Sequence, residues 1–506
     1  MPQVIQAGAL NTTALIVPDL YVQIQPPAIT LNGIPTDIAG VVGAASWGPV
    51  NAQAIVGSMA DYVKSFGPIM NRLYDAGTLV AQAVLEGASN FRVVRVTDGT
   101  DTAATGALGS VSFAAKYTGI VGNSLTVAIS AGSAVGTQRV TVAAPGLAAE
   151  VFDNIVGNEG DFTAAIVAAI THGSGPLQGP SKLVTASTVG TPSQATGSVT
   201  LTGGTDGAAG VTAATLIGSD SATPRTGMYA LRKSGASVIA LADVTDYSTF
   251  NTQVSFGLAE GAYMIAATPA SDAILNAVAA KAAAGVDSYA IKIMFGDWIV
   301  FADPVNKVTR LVSPQGAMVG LLTSLSPEQS SLNKQARSIA ATQSSAANVV
   351  YSNADLGVLA QNGFDVFTNP VPGGNYFGAR LGLNTSSNPV NHGDNYTRLT
   401  NYIAFTIASG AGKYIGKLQS GTVRTDAKGT LSRFLSAMEM QGMIGDVNGG
   451  PAFSIQLDAK NNPDNRVSLG YMQSDVQVKY LSVIEKFIVN LDGSQATVVH
   501  QTIGQQ

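Results

Sequence analysis

Between residues 238 and 293, short apolar runs alternate with longer amphipathic ones, and that alternation leaves little choice of architecture. Val238-Ile239-Ala240-Leu241, Tyr263-Met264-Ile265-Ala266 and Tyr289-Ala290-Ile291-Lys292-Ile293 have the length and apolar continuity of buried strands. Tyr247, Phe250, Val254 and Leu258 share one helical face, and Ala270 to Ala284 predicts a second helix. Strands and helices in strict alternation imply a parallel sheet covered by helices. Ser326-Pro327-Glu328-Gln329 predicts a further helix start, with a serine cap, proline in the first position and glutamine in the third.

The flanking segments differ in texture. Ile38 to Gly43 reads as a buried strand, Leu73 to Leu85 as a helix ended by Gly87, and Phe91 to Val96 as a strand, so residues 29–97 form the first part of a core. From 98 to 210 charge becomes sparse and Gly, Ser, Thr and Val dominate. This predicts a mostly β insertion with one helix near Phe162 to Ile170, closed by the glycine-rich Leu201 to Gly207. Residues 211–383 are the α/β middle domain and 384–493 an α+β C-terminal domain. The latter contains a helix from Thr430 to Gln441 and a long strand carrying Leu481, Val483, Phe487, Val489 and Leu491. Residues 1–28 and 494–506 read as arms, with strand-prone pieces at Val4-Ile5, Leu15-Ile16-Val17 and Val498 to Ile503. Composition leaves two readings of the first arm open: a frayed tail, or a strand lent to another sheet.

Charge narrows the setting. Hydrophobic residues make up 46% of the chain but charged ones only 12%, about half the usual share. Disorder needs the opposite balance, and a free-living surface normally carries dense mixed charge. The composition therefore favours a large assembly. Mean hydropathy of +0.23 comes without an apolar run long enough to span a membrane, so no membrane insertion is expected. The first sixty residues hold Asp19 and Asp37 but no Lys or Arg, so no secretory signal is expected. Zero cysteines exclude disulfides and thiolate chemistry, and a net charge of −5 gives no general attraction to nucleic acid.

No constellation for catalysis emerges. The loop after the 238–241 strand, Asp243-Val244-Thr245-Asp246, lacks the glycines of a dinucleotide site. Gly412-Lys413 is followed by Tyr414, and the earlier P-loop glycine position holds Ile407. His172, His392 and His500 have no partners at usable spacing. No enzymatic activity, cofactor or metal is expected. One segment does stand out: Arg398, Lys413, Lys417, Arg424, Lys428 and Arg433 lie in a stretch whose only acid is Asp426. Such a run is either a solvated surface or a face aimed at an acidic partner.

Several strings together resemble the contractile tail sheath proteins of bacteriophages and related injection machines. Pro18-Asp19-Leu20-Tyr21-Val22 is similar to that family's opening, with Asp in place of Gly. Ile38 to Gly43 with Gly48-Pro49, then Tyr62, Phe66-Gly67 and Val93 to Val96, are similar to its first core strands. Gly203 to Gly207, Trp298, Asp303-Pro304, Ser313 to Gly320 and Tyr376 to Leu381 follow in order, with Phe377 where tryptophan is usual. Arg398-Leu399, Asn461-Asn462-Pro463, Gly470 and Glu485 to Val489 complete the series. Order across about 470 residues, rather than any single string, carries the likeness.

The resemblance implies a virion structural protein, assembled in the host cytoplasm, whose subunits form stacked six-membered rings around a tail tube. Its partners would be itself, the tube protein, and baseplate and tail terminator proteins. The middle domain would be subtilisin-like, the insertion outward-facing and the C-terminal domain tube-facing. Both arms would add strands to sheets of neighbouring subunits through Val4, Ile5, Leu15, Ile16, Val17, Val498, Val499 and Ile503. That resolves the first arm in favour of strand donation, and makes Lys413, Lys417, Arg424, Lys428 and Arg433 candidate tube contacts. Two other readings are an extracellular scaffold or adhesin, suggested by the Gly, Ser and Thr content, and an α/β enzyme with a pocket at strand ends 241–246 and 266–272.

Overall fold

A computed structural model describes residues 3–5, 21–23, 31–157, 161–175, 178–191, 193 and 196–489. It is a mixed α+β protein with several sheets and, among the described residues, twelve α-helices. The chain divides into two compact units, Met1–Phe434 and Leu435–Gln506. No helix among the described residues is long and apolar enough to cross a membrane.

The first unit is organised by a seven-stranded sheet. Its order is Phe364–Asp365, Ile291–Met294, Tyr263–Ala267, Val238–Leu241, Ala39–Gly43, Phe91–Arg95 and Gln53–Val56. The first six strands are parallel, and only the edge strand Gln53–Val56 runs antiparallel. Strands Val238–Leu241 and Tyr263–Ala267 are buried at every position, as a sheet covered on both faces requires. The expected alternation therefore holds, with helices Phe250–Glu260 and Ile274–Ala284 between the strands. Residues before and after the insertion share this one sheet, since Ala39–Gly43 pairs in register with Val238–Leu241.

Helix Gln315–Ser324 is buried along nearly its whole length. Gln315 plugs the carboxyl end of the sheet: its Nε2 donates to the carbonyls of Leu241 and Ile265 at 3.1 and 2.8 Å, and its Oε1 accepts from the N–H of Asp243 at 2.9 Å. The helix expected from Ser326-Pro327 does not form. The Ser326 carbonyl instead accepts from Gln329 N–H in a turn and from the Arg398 guanidinium, and the chain runs on to bridge Leu332 and Gln335 to the strand Gly378–Ala379. A good local cap loses here to tertiary hydrogen bonding.

Residues 105–200 build two antiparallel sheets of their own, one ordered Glu150–Val156, Thr137–Ala143, Thr126–Ala131, Gly197–Thr200, the other Val184–Thr188, Val111–Ala115, Thr105–Leu108. Helix Thr163–His172 accompanies them, and Phe113, Val127, Val140, Phe152 and Leu201 lie in a separate core. The two chain passages into this part are stitched by bridges Thr102 to Thr205 and Thr105 to Thr202. Arg95, buried at the end of its strand, donates to the carbonyls of Gly48, Thr118 and Asp206 at 2.7, 2.7 and 3.0 Å, and Arg72 pairs with Asp206 at 2.5 Å. The glycine-rich string is thus pinned rather than loose.

The second unit holds an antiparallel hairpin, Phe453–Gln456 against Asp475–Val478, with four paired positions. The Asn461-Asn462-Pro463 string closes its connection. Asn462 exchanges two hydrogen bonds with the Gln473 backbone, at 2.7 and 2.8 Å, and Asn461 Nδ2 donates to Gln456 O and to Asp475 Oδ2. The long strand expected over 481–491 is absent among the described residues 481–489.

Candidate interaction surfaces

The basic segment is held by two helices and a post. Helix Asp394–Ala411 ends in the single turn Gly412–Tyr414, and helix Gly421–Met440 follows. Tyr414 stands between them, its hydroxyl donating to Asp426 at 3.0 Å and sharing a 2.8 Å hydrogen bond with Thr430. The ammonium groups of Lys413 and Lys417 lie 4.9 and 5.4 Å from its ring centre, so the ring gathers two cations that would otherwise repel. Arg424 and Lys428, one helical turn apart, extend the positive face, and Arg433 reaches Thr430 at 3.2 Å. Lys417, Lys428 and Arg433 are exposed, whereas Lys413 and Arg424 are half-buried.

Arg398 does not belong to this face. It is buried and donates to the carbonyls of Leu325 and Ser326 at 2.7 and 2.9 Å; burial pulls its guanidinium down to about 10. Sequence reasoning missed the apolar component: Ile415 is 86% and Leu418 91% exposed, on either side of Lys417. Lone apolar residues in a polar loop look like core anchors in a sequence, and only the structure shows them pointing outward.

Of the expected arm residues, Val4 and Ile5 lie in Gln3–Ile5, which pairs in parallel with Tyr21–Gln23 over three positions. Leu15, Ile16, Val17, Val498, Val499 and Ile503 fall outside the described residues. Among the described residues neither strand of the C-terminal hairpin has a second neighbour, so both outer edges present unpaired backbone groups. Beyond it, Ile484, Phe487, Ile488 and Val489 are exposed, Phe487 at 84%. The alternating pattern of 481–491 is real, but a strand exists only against a partner, and none is supplied by the described residues.

The carboxyl end of the parallel sheet was the place for an enzyme pocket. There Asp243 is half-buried, accepts from Tyr74 N–H at 3.0 Å, and sits beside the Gln315 plug; loss of solvent around the carboxyl, reinforced by nearby Asp75, pushes it up to about 7. Among the described residues, no group of His, Asp or Glu is arranged to hold a metal.

No family model and no curated protein matches the chain. Solved structures do. A sheath tail protein from Listeria innocua superposes with a TM-score of 0.60 at 17% identity, covering 85% of this chain and 90% of its own. A sheath tail protein from Desulfitobacterium hafniense gives 0.57 at 15%, covering 87% and 93%. The contracted helical sheath of the anti-feeding prophage gives 0.56 at 10%, covering 94% and 99%. The chain has the fold of contractile tail sheath proteins.

Proposed function

We propose that this chain is the sheath subunit of a contractile tail or injection particle, a structural element without catalytic activity. The observation that carries the reading is the likeness to sheath proteins over most of both chains. In this reading six subunits close a ring, rings stack around a tube, and baseplate and terminator proteins cap the stack. The insertion, residues 98–210, faces outward and the part after residue 384 faces the tube.

Subunits are joined by donated strands. A two-stranded hairpin is marginal on its own, and arms from neighbours added to its open edges would satisfy the unpaired backbone groups and make a larger sheet. The exposed row from Ile484 to Val489 supports this reading, since it leads toward the second arm. Strands held by backbone hydrogen bonds keep subunits connected while globular parts rotate. The extended sheath is a trapped packing, and contraction gains burial between the globular parts without a nucleotide.

The face built on Tyr414 suits an acidic tube surface. Lysines and arginines give weak, salt-sensitive attraction, and Ile415 and Leu418 add apolar contact between them. Contacts of this kind hold the extended state and release when rings move.

The absence of native cysteine makes the strand exchange directly testable. Val499→Cys is combined in turn with Ser454→Cys and with Gln477→Cys, one on each hairpin edge. Oxidation of assembled sheath should give a ladder of disulfide-linked oligomers with at least one pair. Monomers alone from both pairs, in sheaths that still form, would overturn strand donation.

A further inference from the structure

The parallel sheet ends on Phe364–Asp365, a strand of only two residues, paired as Ile293 with Phe364 and Met294 with Asp365. So short a ladder is a weak edge. Directly beside it lies a buried group of charges that the functional reading does not use. Lys292, Asp365 and Asp394 are each 0% exposed at the side chain. Lys292 Nζ is 2.5 Å from Asp365 Oδ2 and 3.1 Å from both oxygens of Asp394. It also donates to the carbonyl of Leu383 at 3.0 Å, and Ser331 Oγ lies at 3.5 Å.

The second carboxylate separates this group from an ordinary ion pair. Asp394, the first residue of helix Asp394–Ala411, accepts from the hydroxyls of Tyr263, at 2.6 Å, and Ser331. Asp365 is oriented by backbone: its Oδ1 accepts from the N–H of Val366 and Leu381 at 2.8 and 2.9 Å, and its Oδ2 from that of Gly382 at 2.9 Å. An amine pressed against a fixed carboxyl, with a proton acceptor on its other side and donors around one carboxyl oxygen, is the arrangement amide formation needs.

We propose that Lys292 and Asp365 condense into an intramolecular isopeptide bond, with Asp394 as the catalytic proton carrier. Asp394 takes a proton from Nζ, and the freed lone pair attacks Cγ of Asp365. Negative charge develops on Oδ1, where the Val366 and Leu381 N–H groups already donate. The two protons that nitrogen sheds pass through Asp394 to Oδ2, which leaves as water. One C–N bond forms, one C–O bond breaks, Asp394 ends as it began, and no oxidant or cofactor enters. Ammonium and carboxylate, both costly to hold in a dry interior, become a neutral amide. Asp394 keeps the hydroxyl hydrogen bonds of Tyr263 and Ser331. The bond ties a two-residue edge strand to its neighbour and stands independently of the sheath reading.

Intact mass of the denatured full chain tests this. One water fewer than the sequence mass is expected, together with a branched peptide joining Lys292 to Asp365 after proteolysis. Mapping is needed because Asp98-Gly99, Asp206-Gly207 and Asp492-Gly493 can also lose water. Asp394→Asn, its fold checked by circular dichroism, should show the full mass. The full mass in the wild-type chain, or a water loss mapped elsewhere, would overturn the bond; a linked Asp394→Asn chain would overturn the role of Asp394.

Discussion

Strands Val238–Leu241 and Tyr263–Ala267 have a neighbour on each side and no exposed residue, whereas both strands of the hairpin Phe453–Gln456 and Asp475–Val478 have, among the described residues, one neighbour and no buried residue. The same backbone chemistry governs both regions. In the first, every edge is answered within the chain. In the second, the described residues supply no further strand, and an apolar row lies exposed after it in sequence. The contrast shows where pairing is supplied within the described residues: the inner strands of the seven-stranded sheet have it on both sides, and under the proposed reading the C-terminal hairpin receives it from a neighbouring subunit.

The contrast can be broken most strongly with paired truncations to alanine. Ile265→Ala, in the fully buried sheet, should cost about 2–5 kcal/mol and lower the melting temperature of the isolated chain. Phe487→Ala removes an exposed ring and should stay within about 0.5 kcal/mol, while reducing sheath formation seen by sedimentation. A large loss of isolated-chain stability from Phe487→Ala would mean that this region, too, is complete in one chain.

A second comparison concerns buried charge in the sheet region. Asp243 has its folded-state carboxyl raised to about 7 by loss of solvent around it, and Asp75 is raised for the same first reason. Between the ordinary carboxylate range and about 7, the folded state holds a proton that the unfolded state has lost, so stability falls as pH rises through that window. The slope is at most about 1.4 kcal/mol per pH unit for one such group. Denaturant titrations should show it, and Asn at position 243 should flatten it. An unchanged slope in Asp243→Asn would remove this carboxyl from the account.

Smaller effects sharpen the outer surfaces. Lys417→Glu, Lys428→Glu and Arg433→Glu together should leave the melting temperature nearly unchanged, as surface substitutions do. They should also lower co-sedimentation with tubes, most clearly at low salt. Equal co-sedimentation would remove the basic face from the tube contact. The smallest effect is expected from replacing residues 100–204 by a short linker. Asp98 N–H already meets Gly207 O at 2.8 Å, so the cut ends are neighbours and the seven-stranded sheet is not crossed. Assembly should survive, and its loss would make the insertion part of the contact between subunits.

What was legible in the sequence follows the same divide. Segments whose partners lie in the chain could be read from periodicity: the strands at 238–241 and 263–266 and the helices that follow them. Helix Gln315–Ser324 was missed because it is apolar or small all round, with no stripe to mark a face. The cap at Ser326 was legible and misleading, since Arg398 and Gln329 compete for its carbonyl. The strand expected over 481–491 does not form over the described residues 481–489, because an alternating pattern makes a strand only where a partner strand lies beside it. The basic segment was legible as a count, yet only coordinates separate inward Arg398 from the cations around Tyr414 and reveal Ile415 and Leu418.

Negative-stain electron microscopy of the full chain beside a version lacking residues 1–17 and 494–506 bears most directly on the central claim. Hollow tubes of stacked six-subunit rings from the full chain, and folded monomers with an unchanged melting temperature from the trimmed one, are the predicted result. Tubes from both would contradict strand donation, and monomers from both at high concentration would contradict the sheath reading itself.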